Sequence, residues 1–309
     1  MTTTIKKFSK MLFAFVLCAG LVMTSCETAD PENTGNTGNT GNNNSTSNII
    51  VFADDIVKKS CVEVFDTDGD GEVSYDEAAA VKDLSNVTLR FIDDFLTFDE
   101  FQYFINVKSL PDKFFEGGKC LKSIVFPEGL ETIGERAFQE CTSLKSIVFP
   151  EGLETIGKSA FRECTSLESI VFPEGLETIG ERAFQECTSL AEVELPRGLE
   201  TTGECAFIFC TNLKKIKFSL GLLEVGDQAF DYCKNITEVH FPDGLEWIGY
   251  NAFADSYPER VYCACTTPPE VHWDGILYGK TLYVPKNSVE LYTAADYYWR
   301  FERILGYDF

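Results

Sequence analysis

The sequence predicts an α/β repeat fold: a solenoid of 23-residue coils with one parallel β-sheet face, short return strands and helical turns, preceded by a small α-helical segment. An aliphatic residue recurs every 23 residues, at Leu121, Leu144, Leu167, Leu190, Leu213 and Ile236. Phenylalanine keeps the same interval, at Phe115, Phe138, Phe161, Phe184, Phe207, Phe230 and Phe253. This strict period indicates a solenoid, because one copy cannot bury its apolar side alone and must stack on its neighbours.

The apolar spacing within one copy predicts a strand, a turn and a return segment. Leu121, Ile124 and Phe126 have the L-x-x-L-x-L spacing of a leucine-rich repeat strand. Pro127 and Gly129 then end the strand and turn the chain. A second apolar group is expected to point inward from a short extended piece and a helical turn around residues 135–139; it comprises Leu130, Ile133, Ala137, Phe138 and Cys141.

These residues resemble the BspA-like leucine-rich repeat family. The Pro-x-Gly-Leu, Ile-Gly and Ala-Phe elements recur over residues 115–256, although Ser219 replaces the turn proline and Thr202 and Val225 replace the return isoleucine. The resemblance implies a leucine-rich repeat solenoid and a non-enzymatic surface protein. It also implies adhesin-like binding of a protein partner, with host extracellular matrix among the candidates.

The N-terminus predicts secretion and lipid anchoring. Lys6, Lys7 and Lys10 precede an apolar run over 11–23 that is too short to span a bilayer, so residues 1–25 form a predicted signal peptide. The following Met-Thr-Ser-Cys resembles a bacterial lipobox in which Cys26 is lipidated; ordinary cleavage nearby is the alternative. We expect an anchor in the outer membrane of a Gram-negative bacterium, with the protein at the cell surface. Residues 26–48, rich in Asn, Thr and Gly, predict a flexible tether.

The segment Asp66–Glu77 predicts a calcium site. It fits every constrained position of an EF-hand loop, with predicted ligands Asp66, Asp68, Asp70, Glu72, Ser74 and Glu77. Apolar residues on both sides predict an incoming and an outgoing helix. The alternative is a solvated acidic turn. Because the sequence contains no second loop, this unpaired hand resembles extracellular calcium modules, and we expect one structural Ca²⁺.

These features divide the chain after the tether into three segments. We expect a helical EF-hand-like module over 49–110, the solenoid over 111–256 and a C-terminal cap over 257–309. Thr97 to Glu100 fits a capping box and predicts a short helix. Within the cap, Thr281 to Pro285 predicts a strand and Val289 the start of a helix, and Tyr292, Trp299, Phe301 and Ile304 are expected to cover the last coil.

The net charge of the chain limits the classes of molecule that it can bind. The formal net charge of −23 makes nucleic acid and anionic membranes poor partners and basic protein surfaces or cations suitable ones.

Five of the twelve cysteines occupy one equivalent position in successive coils: Cys141, Cys164, Cys187, Cys210 and Cys233. Stacked side chains that point the same way are poorly placed to bridge, so a buried thiol ladder is favoured over disulfides or metal.

The outward positions of the strands are the predicted partner-binding surface. They present a valine strip in the early coils and charged residues later, so the candidates are Val125, Val148, Val171, Lys214, Lys215 and Lys217. The alternative for valine is its ordinary preference for strands.

Three function classes compete. The first is the surface protein-binding lipoprotein, and the second is a glycan-binding lipoprotein that uses C-terminal aromatics, namely Trp247, Tyr250, Tyr257, Trp273 and Tyr278. The third is an enzyme, which is disfavoured because the chain has two histidines and neither a nucleophile elbow nor a glycine-rich phosphate loop.

Overall fold

The computed structural model describes residues 48–87, 89, 95–272, 279–295 and 300–309. The chain divides into two compact units, Met1–Asn44 and Ser45–Phe309, and the described residues belong to the second. The predicted signal peptide, Cys26 and all of the tether before Asn48 lie outside the described residues. Within these ranges, the helices lack the length and apolar character needed to cross a bilayer.

One strand per coil builds a series of parallel strands that we call the front ladder. Its strands are β1 (Thr97–Phe98), β3 (Ser123–Ile124), β5 (Ser146–Val148), β7 (Ser169–Val171), β9 (Glu192–Glu194), β10 (Lys215–Lys217), β12 (Glu238–Phe241), β14 (Arg260–Cys263), β16 (Gly279–Pro285) and β17 (Phe301–Tyr307). The pairs β1–β3 and β5–β7 and the run from β9 to β17 are parallel and join equivalent residues, such as Ile147 with Ile170. In the three-residue strands β5, β7, β9 and β10 the central residue is buried and both neighbours are exposed, so burial alternates with the pleat.

The predicted return strands are confirmed, and they form a second set of parallel pairs, the return ladder. Its strands are β2 (Ser109–Leu110), β4 (Thr132–Ile133), β6 (Thr155–Ile156), β8 (Thr178–Ile179), β11 (Glu224–Val225), β13 (Trp247–Ile248) and β15 (Glu270–Val271). Sheet pairing is interrupted after β8, where Thr201 and Thr202 make only isolated bridges to their neighbours. The interruption coincides with the replacement of the return isoleucine by Thr202.

The segment that closes each coil consists of successive β-turns, so the predicted helical turn around residues 135–139 is wrong. Arg136 and Glu140 have φ values of 56° and 62°, and equivalent residues of the later coils repeat these left-handed conformations. A left-handed residue at every fourth position prevents a continuous α-helix. Alternate amides instead bond across coils, as in Phe138 N to Ala160 O at 2.7 Å.

Stacked phenylalanines form the axis of the core. Phe138, Phe161 and Phe184 are fully buried, and successive ring centroids lie 4.9 and 5.2 Å apart with nearly parallel planes. Phe149 packs edge-on against Phe161 at 5.6 Å, which joins the strand side of the core to the turn side. The coil spacing therefore sets the ring spacing, and the 23-residue period places one ring in each coil.

The front ladder extends beyond both predicted limits of the solenoid. Thr97 already pairs with Ser123, so the first coil begins within the segment 49–110. At the other end, β14, β16 and β17 continue the ladder to Tyr307, so much of the segment 257–309 consists of further coils. The spacing there falls to 21 or 22 residues, and a search for the 23-residue period therefore misses these coils.

Helices lie near both ends of the ladder. The predicted helices on either side of the acidic loop are α1 (Asp55–Phe65) and α2 (Tyr75–Ala80), and the helix predicted from Val289 is α3 (Val289–Ala294). Residues Asp99–Tyr103 form a 3-10 helix without a side-chain cap, so the predicted capping box is wrong. Glu100 instead accepts a hydrogen bond from Ala53 N at 2.7 Å and is buried. Tyr292 and Phe301 are buried as predicted for the C-terminal cap, whereas Trp299 lies outside the described residues.

Candidate functional site

The acidic loop between α1 and α2 brings three predicted calcium ligands together. Carboxylate oxygens of Asp66, Asp68 and Asp70 all lie within 4.8 Å of one another. Gly69 and Gly71 have φ values of 77° and 84°, which fold the loop back so that the carboxylates converge. Asp66 further accepts hydrogen bonds from both glycine amides, at 2.7 and 2.9 Å. The loop therefore supplies several hard oxygen donors at one point, as Ca²⁺ requires.

Glu77 closes the loop from the first turn of α2. One of its oxygens accepts hydrogen bonds from Thr67 N and Oγ1, at 2.6 and 2.8 Å, and the other accepts from Ser74 N and Oγ, at 2.8 and 2.9 Å. Burial raises the pKa of Glu77, but these hydrogen bonds outweigh it and hold the pKa at about 2. Glu77 is thus ionised at neutral pH and clamps the start of the loop to its end.

The remaining predicted ligands lie around this clamp. The Glu72 carboxylate pairs with Lys58 Nζ at 2.6 Å. The Glu72 atom left to act as a metal ligand in the loop is therefore its main-chain carbonyl oxygen. The Ser74 hydroxyl caps α2 by accepting from Glu77 N at 3.2 Å. The chain before α1 braces the loop through an antiparallel bridge, in which Ile50 N donates to Val73 O and Tyr75 N donates to Asn48 O, each at 2.9 Å. The sequence analysis did not predict this antiparallel bridge, although the apolar run over residues 49–52 could have indicated it.

The outward side of the front ladder carries the predicted partner residues, and their exposure is confirmed. Val125, Val148 and Val171 expose 41%, 66% and 58% of their surface. They stand in register, with Val148 directly opposite Val171. An exposed column of β-branched side chains forms a low, flat apolar strip along the early coils.

The predicted lysines continue the same surface but are largely neutralised. Lys215 lies 3.9 Å from Glu192, and Lys217 pairs with Glu194 of the preceding coil. Lys214 is exposed beside them. This part of the surface is therefore a set of coil-to-coil ion pairs and not a concentrated basic patch.

A stack of aromatic rings follows on the same side, and sequence analysis missed it. His240 stacks on Tyr262 at 4.4 Å, and Tyr262 stacks on Tyr283 at 4.5 Å, each with planes 10° apart. Tyr307 packs edge-on against both tyrosines, at 5.3 and 5.8 Å. His240, Tyr262 and Tyr283 occupy the valine column, in which Tyr262 and Tyr283 follow after the period has shortened. The register of β12, β14 and β16 aligns these three residues. Because both faces of Tyr262 are covered, the stack presents ring edges and hydroxyl groups outward.

The aromatics predicted for glycan binding are only partly brought together. Trp247 and Tyr250 both contact His272, with ring centroids 6.5 and 5.4 Å from it. The Tyr257 hydroxyl donates to Asp255 at 3.1 Å. Trp273 and Tyr278 lie outside the described residues.

The predicted buried thiol ladder is confirmed. All five thiols are free and buried, and each donates to the carbonyl oxygen of the phenylalanine 26 residues earlier, as in Cys164 Sγ to Phe138 O at 3.1 Å. Burial raises the pKa of every member, to about 12 for Cys210. The hydrogen bonds of the thiol ladder join each coil to the preceding one and so stabilise the stacking of the coils.

One protein family and several solved structures are similar to the chain. The family model described as BspA type leucine rich repeat region matches residues 108–233 in six copies. The matched residues 108–233 lie within the ladders described above, which continue beyond them at both ends. No curated protein matches the chain.

Several solved structures are similar to the chain. A leucine rich repeat protein of T. pallidum is 33% identical over 51% of this chain and 66% of its own, with a TM-score of 0.42. A leucine rich cell surface protein from Faecalibacterium prausnitzii is 21% identical over 69% and 63%, with a TM-score of 0.34. A leucine-rich repeat protein from Bacteroides ovatus is 19% identical over 66% and 68%, with a TM-score of 0.36. The chain thus spans slightly less than two thirds of the first two proteins.

Proposed function

We propose that this protein is a non-enzymatic, cell-surface binding lipoprotein that holds a protein partner on the outward side of the front ladder. The observation that carries the proposal is the continuous exposed surface of that ladder, which runs from the valine strip through paired charges to the aromatic stack. Exposed apolar strips with polar surroundings are common at protein interfaces. Because the contacts are spread over several coils, no single side chain is expected to be essential.

The test is a binding screen with variants of that surface. A pull-down from panels of host matrix proteins and glycans identifies the partner, and Val148→Asp with Val171→Asp is expected to weaken its capture strongly. Charge reversal of Lys214, Lys215 and Lys217 tests the later coils. The matched control is Glu128→Lys with Glu151→Lys, which changes exposed charges away from the front ladder. Full retention of binding by every front-ladder variant would refute the proposal.

The glycan alternative has one observation in its favour, the meeting of Trp247 and Tyr250 around His272. Glycan binding by that cluster predicts loss of capture with Trp247→Ala and no effect of Val148→Asp with Val171→Asp. The same screen therefore separates the two functions.

The anchoring part of the proposal depends on Cys26 and the leader before it. Two or more acyl chains give stable membrane attachment, at about 0.8 kcal/mol for each buried CH₂ group. We expect Cys26→Ala to move the protein from the membrane fraction to a soluble or unprocessed form. Protease accessibility on intact cells then reports whether the wild-type protein faces the exterior.

The calcium part of the proposal depends on the converging aspartates and the Glu77 clamp. Main-chain contacts join this loop to the segment before α1, and the Asn106 side-chain amide donates to Ala79 O at the end of α2 at 2.7 Å. A bound ion would therefore stabilise the N-terminal end of the solenoid. We propose a structural role for Ca²⁺ and not a sensing one.

A further inference from the structure

A groove of about 530 Å³ lies along the return ladder, on a different side from the proposed protein-binding surface. It begins at Glu177 and Thr178 beside β8 and ends at Trp247 and His272. Five successive coils contribute to it, and at about 4.8 Å per coil its ends lie roughly 19 Å apart. The groove therefore has the length of an extended peptide of about six residues.

Two glycines, Gly203 and Gly226, contribute only main chain to the lining of the groove. A Cβ atom on Gly203 would lie 2.5 Å from Gly180 O, and one on Gly226 would lie 2.3 Å from Thr202 O, so neither position tolerates a side chain. The side walls of the groove come from positions at which the repeat copies differ in sequence. Glu224 and Trp247 occupy the column that holds threonine in the first copies, and the ladder is interrupted between them and β8.

The groove is acidic, and its charges are poorly compensated. Its lining includes Glu177, Glu204, Glu224 and Asp227, and the described lining contains neither lysine nor arginine. Among the described ion pairs, only Glu204 of this set has a cation nearby, Arg182 at 4.0 Å.

The front ladder shows the opposite arrangement. There Glu192, Glu194 and Glu238 each pair with a lysine or arginine of the next coil, as with Glu238 and Arg260 at 2.9 Å. Glu259, just before β14, pairs with Lys280 in the same way at 2.8 Å. The same chain thus neutralises one side of the solenoid and leaves a row of negative charge on the other.

The spacing of the groove carboxylates fits separate cations better than one metal ion. Within the described residues, the carboxylates that converge within 4.8 Å are those of the calcium loop, and none lies in the groove. Trp247 adds a half-buried indole wall, against which a guanidinium group or an aliphatic stem packs favourably. We propose that this groove binds an extended basic segment of a partner protein, with two or more arginine or lysine side chains.

The test uses the full chain and a fluorescently labelled octapeptide of alternating arginine and glycine, which in extended form directs all its arginines to one side. Anisotropy titration at physiological salt is expected to show saturable binding, and an octapeptide of alternating glutamate and glycine none. Glu177→Gln with Glu224→Gln should weaken binding at least tenfold. Glu128→Gln with Glu151→Gln removes the same charge elsewhere and should change it less than twofold.

Two outcomes would overturn the proposal. Equal losses in the groove and control variants would mean that only the overall negative charge attracts the peptide, and absence of saturable binding would mean that the groove is not a site. Thermal unfolding of each variant checks that the fold is retained. The proposal does not depend on the front ladder: Val148→Asp with Val171→Asp should bind the peptide as wild type does, so the two proposals fail separately.

Discussion

Individual side chains hold the coils together through columns of identical residues. Each core phenylalanine contacts the equivalent ring of the coil before and after it, and each ladder thiol bonds to a carbonyl of the preceding coil. A substitution in a column therefore affects two interfaces at once. Its cost depends on whether the neighbouring coils can close the gap.

Phe161→Ala is expected to lower the free energy of unfolding by about 3–5 kcal/mol. The ring is fully buried between Phe138 and Phe184, so its removal leaves a cavity that two rigid coils border. Urea unfolding followed by circular dichroism measures the loss. Phe309→Ala is the control, because that ring is 56% exposed and its removal should cost little.

The thiol ladder predicts a loss of stability at alkaline pH. Burial raises the pKa of Cys210 to about 12, whereas an unfolded thiol ionises near 8.5. The contribution is therefore complete below pH 8.5 and falls as pH rises toward 12, by about 1.4 kcal/mol per pH unit for each thiol.

The measurement compares wild type with Cys210→Ala by urea unfolding from pH 7 to 10.5. The stability difference between them should change with pH above about 8.5, because the variant lacks one thiol that ionises on unfolding. A difference that stays constant across the range would contradict a buried, protonated thiol at this position. Half-exposed Cys120 should be alkylated in the native protein well before the ladder thiols.

Helices α1 and α2 hold the two ends of the acidic loop. The Ser74 cap and the Glu77 side chain fix the start of α2, and Glu77 also accepts hydrogen bonds from Thr67 at the other end of the loop. Glu77→Ala would therefore disorder the loop with or without metal. Asp68 is the sharper probe, because its carboxylate accepts one loop hydrogen bond, from Asp70 N at 3.1 Å.

We expect wild type to bind one Ca²⁺ with a dissociation constant of about 10⁻⁴ to 10⁻³ M and to melt at higher temperature in millimolar calcium. Asp68→Asn should abolish both effects. Asp76→Asn is the matched control, since Asp76 lies in the same segment but accepts from Asn48 Nδ2 at 2.8 Å and is not a predicted ligand. Calorimetry without heat for wild type in millimolar calcium would contradict the site.

In the molecule as a whole, the near-identical coils lengthen the solenoid, whereas the divergent coils carry the residues that distinguish one part of its surface from another. Residues 121–143 differ from 144–166 at three positions and from 167–189 at one, so these coils are nearly interchangeable. In a solenoid, stability is approximately a sum of coil and neighbour terms. The valine strip lies on the nearly identical coils, whereas the acidic groove starts on the last of these, at Glu177, and continues over the divergent coils to His272.

Deletion of residues 144–166 is expected to give a folded protein, because residue 143 then precedes residue 167 in the same register as in the repeat. The deletion removes Val148 and shortens the valine strip, while the groove from Glu177 onward is kept. Circular dichroism and cooperative unfolding check the fold. Deletion of residues 144–155 breaks the register and should prevent cooperative folding, and equal behaviour of the two deletions would argue against register as the organising constraint.

The amino-acid sequence was enough to predict the coil length, the buried columns, the outward valines and the acidic loop with its two helices. All depend on interactions between neighbours in the sequence or between equivalent positions of adjacent copies, and a fixed period makes those visible. Three other features became visible only in the folded chain: the left-handed turns, the aromatic stack from His240 to Tyr283, and the groove between Glu177 and His272. The turns depend on bonds that cross between coils, and the stack is hidden where the period shortens. The groove is built by side chains from five coils, whose distances follow from how the coils stack and not from any spacing along the chain.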